Sequence, residues 1–395
     1  MKRVILVYFF PLFIALCCLF LFHSKTNSVF FNTEPNLVVD SSFNYLENYR
    51  NIPYYEDQFL ISNDSTENIF ILGSSELTVE TEAQPYIFIS NHFKTKIKGI
   101  GHAGNQCFSI YSQLLANENR LKNAPIIIVL SPSWFSDSSE GTASSLFLEF
   151  NSHRFLYAIL ENNSISQFKK YEADRISDFY DEINNPDLSI TIFSLESQSS
   201  KNISFKYFNF PIIEILKKLN TLKLELMNTN YIKNEPIKRK SIIPESVKIN
   251  WDSLFVISKQ EQINNSTNNT WYIDNDYYSQ YLNGKTNTVK LPKYENNKEF
   301  KDFKMLLKLL KTKKANASFI ILPINPFCYK NSKILSPLID SLQNDIVNNK
   351  FHCLNFWNAD STSYDIGVLK DIMHLSTYGW YKADKFIVET YNLSK

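Results

Sequence analysis

From Asn68 onward the chain repeats one alternation: a short run of β-branched and aromatic residues, then a longer stretch with apolar residues at helical spacing. Strand-like runs fall at Asn68 to Leu72, Lys96 to Ile100, Pro125 to Leu130, Ser318 to Leu322 and Phe351 to Asn355, each bounded by polar, Gly or Pro residues. Amphipathic stretches include Gln106 to Leu115, Phe300 to Leu310 and Ile334 to Val347. Strands separated by helices are joined by crossovers rather than hairpins, so the pattern predicts an α/β fold with a parallel sheet covered on both faces. In such sheets the ligand site forms at the carboxyl ends of the strands. Those ends carry Gly73-Ser74-Ser75, Gly101-His102-Ala103-Gly104, Ser131-Pro132-Ser133-Trp134 and Pro323-Ile324-Asn325-Pro326.

The rhythm stops between about residues 141 and 298. That stretch reads as a mostly helical insertion, with helices expected around Ser145 to Glu161 and Pro211 to Met227. Its aromatics Trp271, Tyr272, Tyr277, Tyr278 and Tyr281 are candidates for lining a groove, or for simple packing. At the other end, Lys2 and Arg3 precede an uncharged run from Val4 to Phe22, interrupted only by Pro11. A helix of that length spans roughly 29 Å, enough for the hydrocarbon core of a bilayer. The expectation is therefore an N-terminal transmembrane helix within residues 1–25 and a single-pass cell-membrane location. The positive residues before the run would place residues 26–395 outside the cytoplasm.

The 395 residues carry a net charge of +1 with no sustained basic run, which argues against a nucleic-acid partner. Outside the apolar N-terminal run only Cys107, Cys328 and Cys353 remain, too few and too scattered for a disulfide framework or a Cys-rich zinc site. No His-x-His, Glu-x-x-His or Cys-x-x-Cys is present, so neither a metal nor a cofactor is expected.

What the strand ends do offer is a serine with a distant base. Ser75 follows a strand and a glycine, and Asp371-Ile372-Met373-His374 puts a carboxylate three residues before an imidazole. A hydroxyl is a poor nucleophile at neutral pH; it needs a base to take its proton and a third group to orient that base. Ser75, His374 and Asp371 supply those three parts. At a helix start the Ser75 N–H is free to face an oxyanion, and Gly104 can present a second N–H with no side chain in the way. The dull readings are a serine in an ordinary turn and an aspartate capping a C-terminal helix.

Taken together, Gly73-Ser74-Ser75-Glu76-Leu77, the Gly-x-x-Gly-x-Gln of Gly101 to Gln106, the Ser-Pro-x-Trp-Phe of Ser131 to Phe135, Pro323-Ile324-Asn325, and Asp371-x-x-His374-Leu375 with Gly379-Trp380 resemble the DltD family in content, order and spacing. The resemblance implies a three-layer α/β/α fold similar to the SGNH hydrolases. It also implies a role in D-alanylation of teichoic acids, with Ser75 as nucleophile, His374 as base and Asp371 as its orienting partner. Ser75, Gly104 and Ser133 would form the oxyanion hole, although Ala103 and Ser133 depart from the family pattern. The implied partners are a membrane-bound O-acyltransferase, indirectly a D-alanyl carrier protein, and teichoic acid or a similar polymer. The alternatives are an SGNH-type esterase or thioesterase using water, and a non-catalytic assembly subunit.

Overall fold

The computed structural model describes residues 68–136, 166–183, 249–290 except 268–269, and 297–394, together with the two-residue strand Tyr45–Leu46 and scattered residues between 146 and 196. All of these belong to one compact unit, Ser42–Lys395. Six strands, β1 (Tyr45–Leu46), β2 (Asn68–Gly73), β3 (Lys96–Gly101), β4 (Pro125–Leu130), β5 (Asn316–Ile321) and β6 (His352–Asn355), form one sheet in the order β1-β3-β2-β4-β5-β6. Every neighbouring pair is parallel. The five expected strands are present, with β5 starting two residues earlier than the apolar pattern suggested.

Among the described residues, the helices of eight residues or more are α1 (Pro85–His92), α2 (Cys107–Ala116), α3 (Ser166–Ile183), α4 (Trp251–Asn264), α5 (Lys298–Thr312), α6 (Ser336–Asn348) and α7 (Thr377–Tyr391). Alternate residues of each strand feed two separate cores. Ile126, Ile128 and Leu130 of β4 join Phe319 and Ile321 of β5 beneath α2, α5 and α6. Ile127 and Val129 point the other way, with Ile71 and Ile320, to meet Tyr86 and Ile89 of α1 and Trp380 and Ile387 of α7. Burial on both faces explains why β4 reads as an unbroken apolar run. The result is a three-layer α/β/α arrangement.

Two features of this frame position the site. The chain steps from β2 out to β3, then returns past β2 to β4 and on to β6, so the winding direction reverses at β2. Crevices at the carboxyl ends of strands form at such reversals, and β2 ends immediately before Ser74 and Ser75. The strand ends also stay level, with Gly73 opposite Gly101 and Leu130 opposite Ile321. A side chain at Gly101 would collide with the Gly73 carbonyl, so close approach of β2 and β3 requires glycine there.

The long connection between β4 and β5 is tied to the core by a buried ion pair. Arg175 of α3 donates from Nε and Nη2 to the two carboxylate oxygens of Asp302 on α5, at 2.8 and 2.7 Å, and the Tyr171 hydroxyl adds a third bond at 2.8 Å. Asp302 is fully buried. Asp302→Ala leaves the buried guanidinium with the exposed Asp178 carboxylate, 3.0 Å from Nη1, and should cost about 3 kcal/mol, the low end for breaking a buried pair. Urea denaturation should show that loss as a lowered midpoint with an unchanged slope.

One expectation is corrected. Among the described residues no helix is long and apolar enough to cross a membrane. The single-pass membrane location is therefore withdrawn; the Val4 to Phe22 run on which it rested lies outside the described residues. The helix expected at Pro211 to Met227 and most of that at Ser145 to Glu161 lie outside them too.

Candidate active site

Ser75 opens a short 3₁₀ turn, Ser75–Thr78, directly after β2. The turn is built by a buried carboxylate. Glu76 Oε1 accepts the Ser74 N–H at 2.6 Å, and the space it fills is the one that a Cβ on Gly73 would occupy. Ser74 is held by its own hydroxyl, which donates to the His102 carbonyl at 3.0 Å. Ser74 is thus buried as a bracket between the β2 and β3 loops, while Ser75 stays accessible.

His374 arrives from the far end of the chain on a tight turn. Leu369 and Leu375 form an antiparallel bridge, and the Lys370 N–H donates to the His374 carbonyl at 2.9 Å. At the tip, Asp371 Oδ1 accepts the N–H groups of Met373 and His374 at 2.9 and 2.8 Å, leaving Oδ2 to face the ring of His374. Oδ2 lies 2.7 Å from His374 Nδ1, and Nε2 lies 2.9 Å from Ser75 Oγ. With Asp371 ionised, the proton belongs on Nδ1, and Nε2 is left to accept from the serine hydroxyl. The three side chains singled out in the sequence therefore form one continuous hydrogen-bonded relay.

The electrostatics suit a base. Burial opposes a charged Asp371, but the bond and charge of His374 and the two backbone N–H groups outweigh it and hold the carboxyl below its usual range. Burial likewise opposes a charged His374, yet Asp371, with help from Glu76, lifts the imidazole above its ordinary 6.5. Glu76 itself is pushed up to about 7 by burial, with its hydrogen bonds and His374 pulling the other way. Glu76 was visible in the motif but had no assigned role; a carboxylate beside a turn serine reads as a surface residue until its burial is known.

Ser75 opens onto a cavity of about 520 Å³ whose walls include Gly104, Ser133, Trp134 and Met373. Gly104 adopts φ +94°, a conformation that favours glycine, and Asn105 beside it donates its amide to the Gly73 carbonyl at 2.9 Å. Ser133 is the second residue of the 3₁₀ turn Pro132–Phe135 after β4, and its hydroxyl pairs with Ser131 Oγ at 2.8 Å. All three proposed oxyanion positions, Ser75, Gly104 and Ser133, thus border the same space. His102 stays outside the relay, with its ring Nδ1 3.3 Å from the Ala103 carbonyl.

Asn325 explains why the His374 loop stays in place. Its N–H donates to the Ile372 carbonyl at 2.8 Å, its Nδ2 to the Trp271 carbonyl at 2.8 Å, and its Oδ1 accepts from Phe327 and Cys328. Ile372 and Met373 then pack on Trp271, Ile273, Tyr277 and Tyr278. Of the five aromatics flagged in the sequence, Trp271, Tyr277 and Tyr278 buttress the His374 loop, Tyr272 packs on Phe327 and Tyr281 is exposed; none of the five is among the residues lining the cavity. Cys107, Cys328 and Cys353 are free thiols.

The family model described as DltD protein matches residues 47–392. The chain belongs to the DltD family. It is 26% identical over 357 residues to Protein DltD of Bacillus subtilis (strain 168), an alignment covering 87% of this chain and 86% of that one. It is 22% identical over 332 residues to Protein DltD of Staphylococcus aureus (strain NCTC 8325 / PS 47), covering 81% of this chain and 80% of the relative. In a DltD-family chain, the match takes in Ser75, Gly104, Ser133, Asp371 and His374 alike.

Proposed function

We propose that this protein is an SGNH-like serine acyltransferase that moves a D-alanyl group onto a hydroxyl of teichoic acid or a similar polymer. The acyl-transfer domain would be the α/β/α unit, interrupted by an insertion at about residues 141–298. Family membership supports the D-alanylation setting, in which the O-acyltransferase and the carrier protein of that system act upstream. The observation that carries the reading is the unbroken relay from Asp371 through His374 to Ser75 at the mouth of a cavity.

In the first half-reaction His374 Nε2 takes the Ser75 proton as Oγ attacks the donor carbonyl carbon. The resulting oxyanion would lie against the N–H groups of Ser75 and Gly104, with Ser133 as a third contributor. Collapse breaks the bond to the leaving group, which departs with the proton held by His374. In the second half-reaction an acceptor hydroxyl gives its proton to Nε2 and attacks the acyl ester; Ser75 Oγ regains a proton as it leaves. Asp371 stays ionised throughout and stabilises the imidazolium.

The test is transfer of labelled D-alanine. With a D-alanyl donor and polymer present, label should move to the polymer in a Ser75-dependent way. Release of free D-alanine at the same rate with and without polymer would instead make water the acceptor, as in an esterase.

A further inference from the structure

The cavity has a single charged side chain among its lining residues, Lys290. It lies on an extended stretch, residues 287–290, that is pinned although it belongs to no strand of the sheet. The Asn287 N–H donates to the Cys328 carbonyl at 2.9 Å, within a parallel bridge to Tyr329. Asn331 then clamps Val289 with both ends of its amide: Nδ2 donates to the Val289 carbonyl at 2.6 Å and Oδ1 accepts the Val289 N–H at 2.8 Å. A side-chain amide that satisfies both backbone groups of one residue does the work of a neighbouring strand. Val289 is buried while Thr288 and Lys290 are exposed, and all three border the cavity. No acidic side chain among the described residues pairs with Lys290.

We propose that Lys290 binds a phosphate group of the acyl acceptor and so selects polyol phosphates over neutral polyols. This rests on the acyl-Ser75 reading and deepens it. The charge also sorts the two substrates within one cavity. A D-alanyl group carries an ammonium, which a lysine repels, so the acyl group belongs at the Gly104 and Ser133 side and the anionic acceptor at Lys290. After transfer, the new ammonium lies near the same phosphate and competes with Lys290 for it. The acylated product is then held more weakly than the acceptor it came from.

The probe is a short polyol-phosphate oligomer titrated by calorimetry into Ser75→Ala protein, which can hold an acceptor without turning it over. At low ionic strength Lys290→Gln should weaken binding roughly tenfold while Lys290→Arg stays within about threefold, the range for a hydrogen bond to a charged group. Salt should narrow the gap. The D-alanylated oligomer should bind more weakly than the bare one. Equal affinities with and without Lys290→Gln would overturn the proposal. So would loss confined to phosphopantetheine, a phosphate of the donor side, with oligomer binding unchanged. Failure of the acyl-serine reading would look different: the unsubstituted protein would take no acyl group from a donor, and the binding comparison would still stand.

Discussion

Ser75→Ala should lower acyl transfer by on the order of 10⁵–10⁶, to the level that binding and the oxyanion donors alone sustain. The change removes the only hydroxyl within hydrogen-bond distance of His374 Nε2 among the described residues, and no bond that holds the turn. Thermal stability should accordingly be unaltered. Ser74→Ala is the matched control. It deletes one hydrogen bond, to the His102 carbonyl, and leaves the relay intact. A loss of about 1 kcal/mol, or within roughly tenfold in rate, is expected. Comparable losses from the two substitutions would mean that the nucleophile has been misassigned within the Ser74-Ser75 pair.

The second large effect lies in the base. His374→Ala should stop both half-reactions, and Asp371→Asn should cost on the order of 10⁴ through a wrong tautomer. The pH profile separates the two roles. His374 must be neutral to accept a proton, and its pKa is raised above 6.5, so kcat/KM should fall as pH drops through that raised value. Asp371 supplies the main upward pull against the downward pull of burial. With Asp371→Asn burial prevails, and the acid limb of the residual activity should move to lower pH. Glu76→Gln removes a smaller upward pull and should shift the limb in the same direction by less. A limb that stays put in Asp371→Asn would show that the titrating group is not His374.

The parts legible in the sequence were those whose signal is local. β4 reads directly because both of its faces are buried, and α5 because its apolar residues Phe303, Leu306, Leu307 and Leu310 keep helical spacing. α1 escaped because apolar residues surround it: Tyr86, Phe88 and Ile89 are buried and Ile87 is partly so, which leaves no polar face to set a period. β1 has only two residues and no run to recognise. At the site, Ser75 and the Asp371 and His374 pair could be read from strand ends and spacing. Glu76, Asn325 and Lys290 could not be given roles, because each acts through partners distant in sequence or through burial. Asn325 reaches Trp271, and Lys290 is set by Asn331 acting on Val289.

The account stands most directly on a covalent intermediate at one atom. Protein incubated with a D-alanyl thioester, quenched in acid and digested, should yield a single peptide heavier by one alanyl residue, the peptide that contains Ser75. Addition of polyol-phosphate acceptor before the quench should clear that ester and put D-alanine on the acceptor. Ser75→Ala protein should give neither product. An acceptor that becomes D-alanylated while Ser75 is never esterified, or an equal adduct on the Ser75→Ala protein, would contradict the account.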